Sequence, residues 1–476
     1  MLPAAVDVLV LGAGLAGLRA AWGCLAAHPG LKVLVASLSR SPSGSSFANV
    51  NNALGMHACL TDQDRLAYLS EAADLAGQAW FNPDLAAIQA QEGQTRLDDL
   101  LDLGLKFKRD PQGNLLGHAS CFSPDSRRAF IFTDLSQAFQ VFGQRLRALG
   151  GTLVPGLAAA SILRDPTRPG RPVAGVLFMP ANPGQALAMA AKAVIVALGG
   201  PAGLFGHNMA GPGTPGYSYG LMRQAGVRLA NTGYIQYLWG KLPAGGFWQP
   251  GDMAAKECLI LAPDGRETQA REIVPGIGLL AGQRRTHCPF AHGLDDSGLD
   301  LALAGFMDHQ GQVALRLPDE GLVRLVPMAH AGNGGAVINE IAETNVPGLL
   351  ACGECATGMH GANRLGGAMV LATQVFGHRA GVRAACLAKE TPGTSEDDFR
   401  DLARQGLEAL KTDENERRLG LSELADGLSR YAVLGGRPGL EDFRQALKGQ
   451  GSSGDWRLSL SREAALAVLD GLPVSG

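Results

Sequence analysis

No stretch of this sequence is apolar for long enough to cross a bilayer as a helix. The run over residues 193–198 stops at Gly199-Gly200, against the roughly 18 to 20 residues that a span requires. Direct membrane insertion is therefore not expected. Charge of one sign is also missing. With 41 basic and 44 acidic residues and a net charge of -3, there is no extended basic field to meet a phosphate backbone, so nucleic acid is not an expected partner. The cysteines Cys24, Cys59, Cys121, Cys258, Cys288, Cys352, Cys355 and Cys386 are scattered. They form neither a secreted disulfide framework nor a four-cysteine cluster, so a reducing, cytoplasmic setting is expected, with no metal site and no iron–sulfur centre. Met1 to Pro3 lead directly into an apolar run, leaving no room for a basic region and cleavage site, so no export signal is expected.

What is present is a long, glycine-rich chain. Its 476 residues exceed one compact core, which predicts two or three domains. The first segment reads as strand (6–11), glycine turn (12–17), helix (18–27) and strand (33–36), a βαβ unit. A helical stretch follows over 62–103, and residues 193–198 read as a buried parallel strand. Between 237 and 326 the pattern loosens into short apolar runs broken by Gly, Pro and charge, which predicts an inserted domain. Buried-strand and long-helix signals resume at 348–352 and from Gly366, so 327–390 is expected to complete the domain begun by 1–236. A linker at 392–395 precedes an expected helical region over 395–476.

Gly12-Ala-Gly-Leu-Ala-Gly17 sits between strand and helix. In such a turn Gly12 makes the bend and Gly14 lets backbone N–H groups approach a pyrophosphate. The helix N-terminus, carrying roughly half a positive charge, faces that anion. A plain tight turn would have the same spacing. An acidic residue for a ribose is absent from the end of the second strand, where Ser37, Ser39 and Arg40 stand; this counts against an ordinary NAD site.

Near the other end lies Gly348-Leu-Leu-Ala-Cys-Gly-Glu354-Cys-Ala-Thr-Gly-Met-His360-Gly-Ala-Asn-Arg364-Leu-Gly-Gly367. It resembles the GLYAAGE…HGANRLGG signature of the succinate dehydrogenase, fumarate reductase and L-aspartate oxidase flavoproteins. L-aspartate oxidase-like members are the nearest in pattern. Residues 33–54 resemble the same family's second strand and serine-rich loop, and Pro327-Met-Ala-His330 with Gly334-Gly335 resembles its P-x-x-H-x-x-x-GG segment. Residues 193–200, 213–220 and 107–134 carry softer matches.

The resemblance implies an α/β chain with a Rossmann-like FAD-binding domain, an inserted α+β capping domain and a short C-terminal helical region. FAD would be held by Gly12, Gly14, Gly17, Ser37, Gly44, Ser45, Ser46, Asn51, Asn52, Gly199, Gly200, Glu354, Gly366 and Gly367. Ser45 aligns with the histidine that carries covalent FAD in respiratory members, so the FAD here is expected to be noncovalent. The implied chemistry is hydride transfer between flavin N5 and a small carboxylate. Arg364 and His330 would bind the carboxylate, and Arg271, in Arg-Glu-Ile-Val, aligns with the family's proton-transferring arginine. A surface arginine is the competing account of Arg271.

Three departures bear on the substrate. The family's F-x-Q-F-H-P-T segment reads Tyr234-Ile-Gln-Tyr-Leu238-Trp-Gly, so Leu238 replaces a histidine. The AQGG loop reads Asn49-Val-Asn-Asn52, and Ala368-Met-Val follows the signature. Cys352-Gly-Glu-Cys355 can be read as a redox pair or as coincidence within the signature. Two functions stay open: a flavoenzyme acting on a small carboxylate, and a noncatalytic flavoprotein relaying electrons within a redox complex. In either, electrons leave by dioxygen, a quinone or a partner protein.

Overall fold

The computed structural model describes residues 4–181, 184–243, 245–254, 257–318, 320–410, 419–449 and 455–473. Its N-terminal strand, Ala5–Leu11, lies mid-sheet between two parallel neighbours, Val33–Ser37 and Leu187–Val196. Val8, Leu9 and Val10 are fully buried. The strand is continuously apolar rather than alternating because both faces of a parallel sheet are covered. Thr152–Pro155 pairs outside Val33–Ser37. On its far side, Leu187–Val196 has two partners in succession. Val173–Pro180 runs antiparallel to its first half, and Leu349–Ala351 runs parallel to Val194–Val196. That second pairing carries the C-terminal signature into the N-terminal sheet.

The helix Leu15–Ala27 follows the glycine turn and packs on the 23-residue helix Ala368–Glu390. A Cβ on Gly381 would lie 2.0 Å from the Ala20 carbonyl oxygen, and one on Gly377 2.9 Å from that of Ala16. The two helices therefore meet backbone to backbone, a separation that larger side chains forbid.

A second, antiparallel sheet of six strands is built between Ile235 and Gly332, in the order Phe247–Trp248, Ile235–Leu242, Gly321–Gly332, Val313–Leu317, Leu259–Leu261, Glu267–Gln269. Its longest pairing, Ile235–Leu242 on Gly321–Gly332, slips register between Gln236 and Tyr237. Helices Ile277–Arg284 and Ser297–Ala304 lie beside it. Between them the guanidinium of Arg284 and the carboxylate of Asp300, both fully buried, pair at 2.8 Å. Trp239 Nε1 donates to the same carboxylate at 2.8 Å.

The expected helical stretch over 62–103 is two helices, Asp62–Ala76 and Pro83–Asp102. Gly77, at φ 55°, ends the first, and Asn82 caps the second just before Pro83. The helix placed at 18–27 begins three residues earlier, at Leu15. Helices Glu396–Ala409, Leu421–Tyr431, Leu440–Lys448 and Trp456–Asp470 form the C-terminal region. Thr232 Oγ1 donates to the Ala467 carbonyl and Tyr237 Oη to that of Ala432, so this region is fastened to the second sheet. Among the described residues no helix is long and apolar enough to cross a membrane.

Candidate active site

One cleft, open to solvent at its mouth, runs along the carboxyl ends of the parallel strands, where doubly wound sheets bind their ligands. Its lining brings together Ser37 and Ser39, Gly12 to Ala16 with Ser43 to Ser46 beside them, Gly199 and Gly200, and Glu354, Arg364, His330 and Gly367. The N-terminal turn and the C-terminal signature thus form the walls of a single site.

The turn is shaped for a bulky anion. Gly12 takes φ +108°, and a Cβ there would lie 2.3 Å from the Ala197 carbonyl oxygen. Gly14 is the N-cap of Leu15–Ala27, with no side-chain cap. The first helical N–H, of Leu15, donates to Ser46 Oγ at 3.2 Å, so the serine loop closes over the helix N-terminus. A helix N-terminus whose N-cap brings no side chain, beside a small hydroxyl, suits a diphosphate. Gly17 lies beneath, where a Cβ would be 1.9 Å from the Gly12 oxygen.

The strand Leu349–Ala351 leads into a short turn, Gly353–Cys355, that places Glu354 in the cleft. Glu354 Oε1 accepts from the Gly332 N–H at 2.9 Å. A Cβ on Gly200 would lie 2.1 Å from that oxygen, so the glycine makes room for the carboxylate. Burial raises the Glu354 pKa, opposed by the Gly332 bond and Arg364. A carboxylate able to reach a polyol and an anion-shaped turn in the same cleft together fit FAD.

Arg364 is 9% exposed. Its Nη2 donates to Gln236 Oε1 at 2.7 Å, across from the second sheet. Nε is buried without a hydrogen-bond partner, and so is Nε2 of the neighbouring His360. A buried guanidinium N–H left unpaired is costly, which marks this corner as built to receive an acceptor. His330 is exposed to the cleft beside Arg364. The surrounding protein and then the Arg364 charge lower its pKa to about 4, so the imidazole is neutral at neutral pH. His360 is pushed down by the same two causes.

The segment 286–292 packs against Asn363, the residue before Arg364, without itself lining the cleft. The His292 N–H donates to Asn363 Oδ1 at 2.8 Å, and Asn363 Nδ2 donates back to the His292 carbonyl at 2.9 Å. Phe122 stacks on the His287 ring, centroids 4.1 Å apart. Arg284 holds the segment from behind, donating to the carbonyls of His287 at 2.7 Å and Cys288 at 3.0 Å.

Several sequence-derived candidates stand elsewhere. Arg271 is exposed on the short turn Ala270–Glu272 and does not line the cleft. The cap arginine tied into the site's framework is Arg284, thirteen residues on, which nothing in the resemblance singles out. Asn51 and Asn52 are exposed and do not line the cleft either. Asn52 Oδ1 instead accepts from the Leu135 N–H at 3.0 Å. Gly366 packs away from the lining, against Cys121 and Ser120. Cys352 and Cys355 point to different main-chain oxygens, those of Ala16 and Val196, and both thiols are pushed up by burial. Gln236 and His360 lie within the motifs but carry no local sign of a role; only the folded chain shows that each faces Arg364's surroundings.

A family model described as FAD binding domain matches residues 7–370. L-aspartate oxidase of Caulobacter vibrioides is 28% identical over 455 residues, covering 89% of this chain and 84% of its own. A fumarate reductase (CoM/CoB) chain of Methanothermobacter marburgensis is 25% identical over 471 residues, covering 91% and 83%. Among solved structures, E. coli quinol fumarate reductase FrdA superposes with a TM-score of 0.74 at 20% identity, covering 98% of this chain and 88% of that one. A Mycobacterium smegmatis Sdh1 complex chain gives 0.73 at 21% identity, covering 98% and 86%. With the anion-shaped turn, the buried carboxylate and the family match all on one cleft, this chain belongs to the FAD-binding family that includes L-aspartate oxidase and fumarate reductase, and is an FAD-dependent oxidoreductase.

Proposed function

We propose that the enzyme moves a hydride between its FAD and a small carboxylic acid, at a carbon–carbon or carbon–nitrogen bond beside the carboxylate. The observation that carries this reading is the Arg364 corner: a buried guanidinium with an unpaired Nε, next to a neutral His330 and an unpaired His360 Nε2, at the FAD cleft. Bound flavin supplies the two-electron hydride chemistry. The chain supplies the grip. Arg364 binds the carboxylate by charge-assisted hydrogen bonds, each contributing about 1.5 to 3 kcal/mol, while Gln236 holds the guanidinium from behind. Neutral His330 donates a hydrogen bond without adding a second positive charge. Arg364 is itself buried, and the exclusion of water strengthens each of these contacts.

FAD is proposed to be noncovalent, since Ser45 stands at the position of the linking histidine. The FAD-binding domain is proposed to comprise 1–236 and 327–390, the capping domain 237–326 and the helical region 395–476. A cytoplasmic setting and a redox partner protein complete the proposal. A second reading, an electron relay with a degenerate site, is favoured by buried Leu238 in place of a polar histidine. One experiment separates them. The purified protein, with its yellow cofactor confirmed, is screened with succinate, fumarate and aspartate for flavin reduction or reoxidation. Turnover that Arg364→Ala abolishes while flavin stays bound supports the enzyme; tightly bound, unresponsive FAD supports the relay.

A further inference from the structure

Two half-buried cysteines, Cys121 and Cys288, meet across the junction between the FAD cleft and the second sheet. The Cys288 N–H donates to Cys121 Sγ at 3.4 Å. Nothing in the proposed hydride transfer uses either thiol.

The frame around them is rigid on both sides. Cys121 belongs to a tight loop in which Ser120 and Ser123 bridge each other, and its carbonyl accepts from the Gly366 N–H at 3.0 Å. The next residue, Phe122, sits at φ 66°, donates its N–H to the Thr286 carbonyl at 3.3 Å and stacks on His287. Cys288 is held by Arg284 Nη2 on its carbonyl. Three separate contacts therefore bind residues 121–122 to 286–288.

We infer that Cys121 and Cys288 are a thiol–disulfide site whose oxidation bonds the 286–292 segment to the FAD-binding part of the chain beside Arg364. The chemistry suits the pair. Hydrogen bonds from Cys288, with lesser help from His287 and Arg364, lower the Cys121 pKa, while Cys288 is pushed the other way. Cys121 is then the attacking thiolate. With hydrogen peroxide as oxidant, the Cys121 sulfur attacks one peroxide oxygen, the O–O bond breaks, and hydroxide leaves and takes up a proton as water. The resulting sulfenic acid is attacked by the Cys288 sulfur; the S–S bond forms, the S–O bond breaks, and a second water carries off the Cys288 proton. In sum, two thiols and one peroxide give one disulfide and two waters. A second neighbouring pair, Cys24 and Cys386, is unsuited: Cys24 is fully buried and its thiol is raised to about 12.

Joining residues 167 apart in sequence fixes the segment that packs on Asn363, beside Arg364. The oxidised form holds it covalently; the reduced form leaves it to its noncovalent contacts. The site stands apart from any choice of substrate.

The test treats the full-length protein with stoichiometric hydrogen peroxide, alkylates remaining thiols under denaturing conditions, and maps peptides without reduction. A peptide linking Cys121 to Cys288, lost on dithiothreitol treatment, is expected. Hydrogen exchange over 277–292 should slow about tenfold on oxidation and recover on reduction. Cys288→Ser should stop at a sulfenic acid on Cys121 that dimedone traps. Absence of the linked peptide, with Cys121 left free or carried on to sulfinic acid, overturns the inference, as does a linkage formed without any slowing of exchange over 277–292.

Discussion

Arg364 Nη2 donates to the side-chain oxygen of Gln236 at 2.7 Å, so the proposed carboxylate clamp is aimed by a residue from the second sheet. Gln236 follows the start of Ile235–Leu242 and precedes the register slip that separates it from Tyr237. Gln236→Leu should remove the brace without touching the cofactor. A hydrogen bond to a charged group is worth about 1.5 to 3 kcal/mol, so kcat/KM should fall roughly ten- to a hundredfold, mainly through KM. Steady-state kinetics and flavin absorbance check this together. An unchanged KM would mean that Arg364 does not bind substrate.

Gly12→Ala should empty the cleft of FAD. The added methyl would sit 2.3 Å from the Ala197 carbonyl oxygen at a φ of +108°, a conformation that L side chains rarely adopt. The purified variant should be nearly colourless. Retention of a wild-type flavin-to-protein absorbance ratio would count against the placement of the diphosphate at this turn.

The Arg284–Asp300 pair should reveal itself by asymmetry. Breaking a fully buried pair from one side strands the other charge and costs about 3 to 5 kcal/mol. Arg284→Met or Asp300→Leu alone should therefore lower the unfolding midpoint sharply. The double variant should be more stable than either single one, since neither charge is then left uncompensated. Thermal unfolding of all four proteins gives the comparison; a double variant equal to the sum of the singles refutes it.

Acid should destabilise the fold through its buried neutral histidines. Burial lowers the pKa of His57 to about 3 and of His292 to about 4. An unfolded histidine titrates near 6.5, so between there and pH 4 the unfolded chain binds more protons than the native one. The stabilisation is full above about 6.5 and is lost as pH falls. Calorimetry in buffers of differing ionisation heat should detect net proton uptake on unfolding at pH 5. Zero uptake would show these rings to be solvated.

Arg271→Ala should change turnover by no more than about threefold, as befits an exposed side chain away from special contacts. A loss of a hundredfold or more would restore Arg271 as the proton-transferring residue and require the second sheet to rearrange in the working enzyme.

The parts of this molecule that are legible in the sequence are those where the backbone itself is constrained. Gly12 and the Gly366-Gly367 pair announce close approach, and continuous apolar runs such as 6–11 and 193–198 announce strands covered on both faces. Both cues are local, so they survive without an alignment. Arg271 is harder to place from the sequence. Its strand–turn surroundings are defined by short elements of the second sheet, where three-residue strands such as Leu259–Leu261 leave no periodicity to fix the spacing. Asn51 and Asn52 are drawn in by their position in a loop motif, whereas the preference of Asn52 for capping at Leu135 depends on a contact 83 residues away. The buried Arg284–Asp300 pair and the facing of Gln236 on Arg364 are likewise long-range facts, invisible to spacing.

The backbone-to-backbone seam between Leu15–Ala27 and Ala368–Glu390 also ties two walls of the cleft to one another. Gly377 and Gly381 leave no gap between the helix that starts at the diphosphate turn and the helix that starts after Gly367. A bulkier residue at either glycine would drive the helices apart and change the spacing of the cofactor site without altering a residue that lines it.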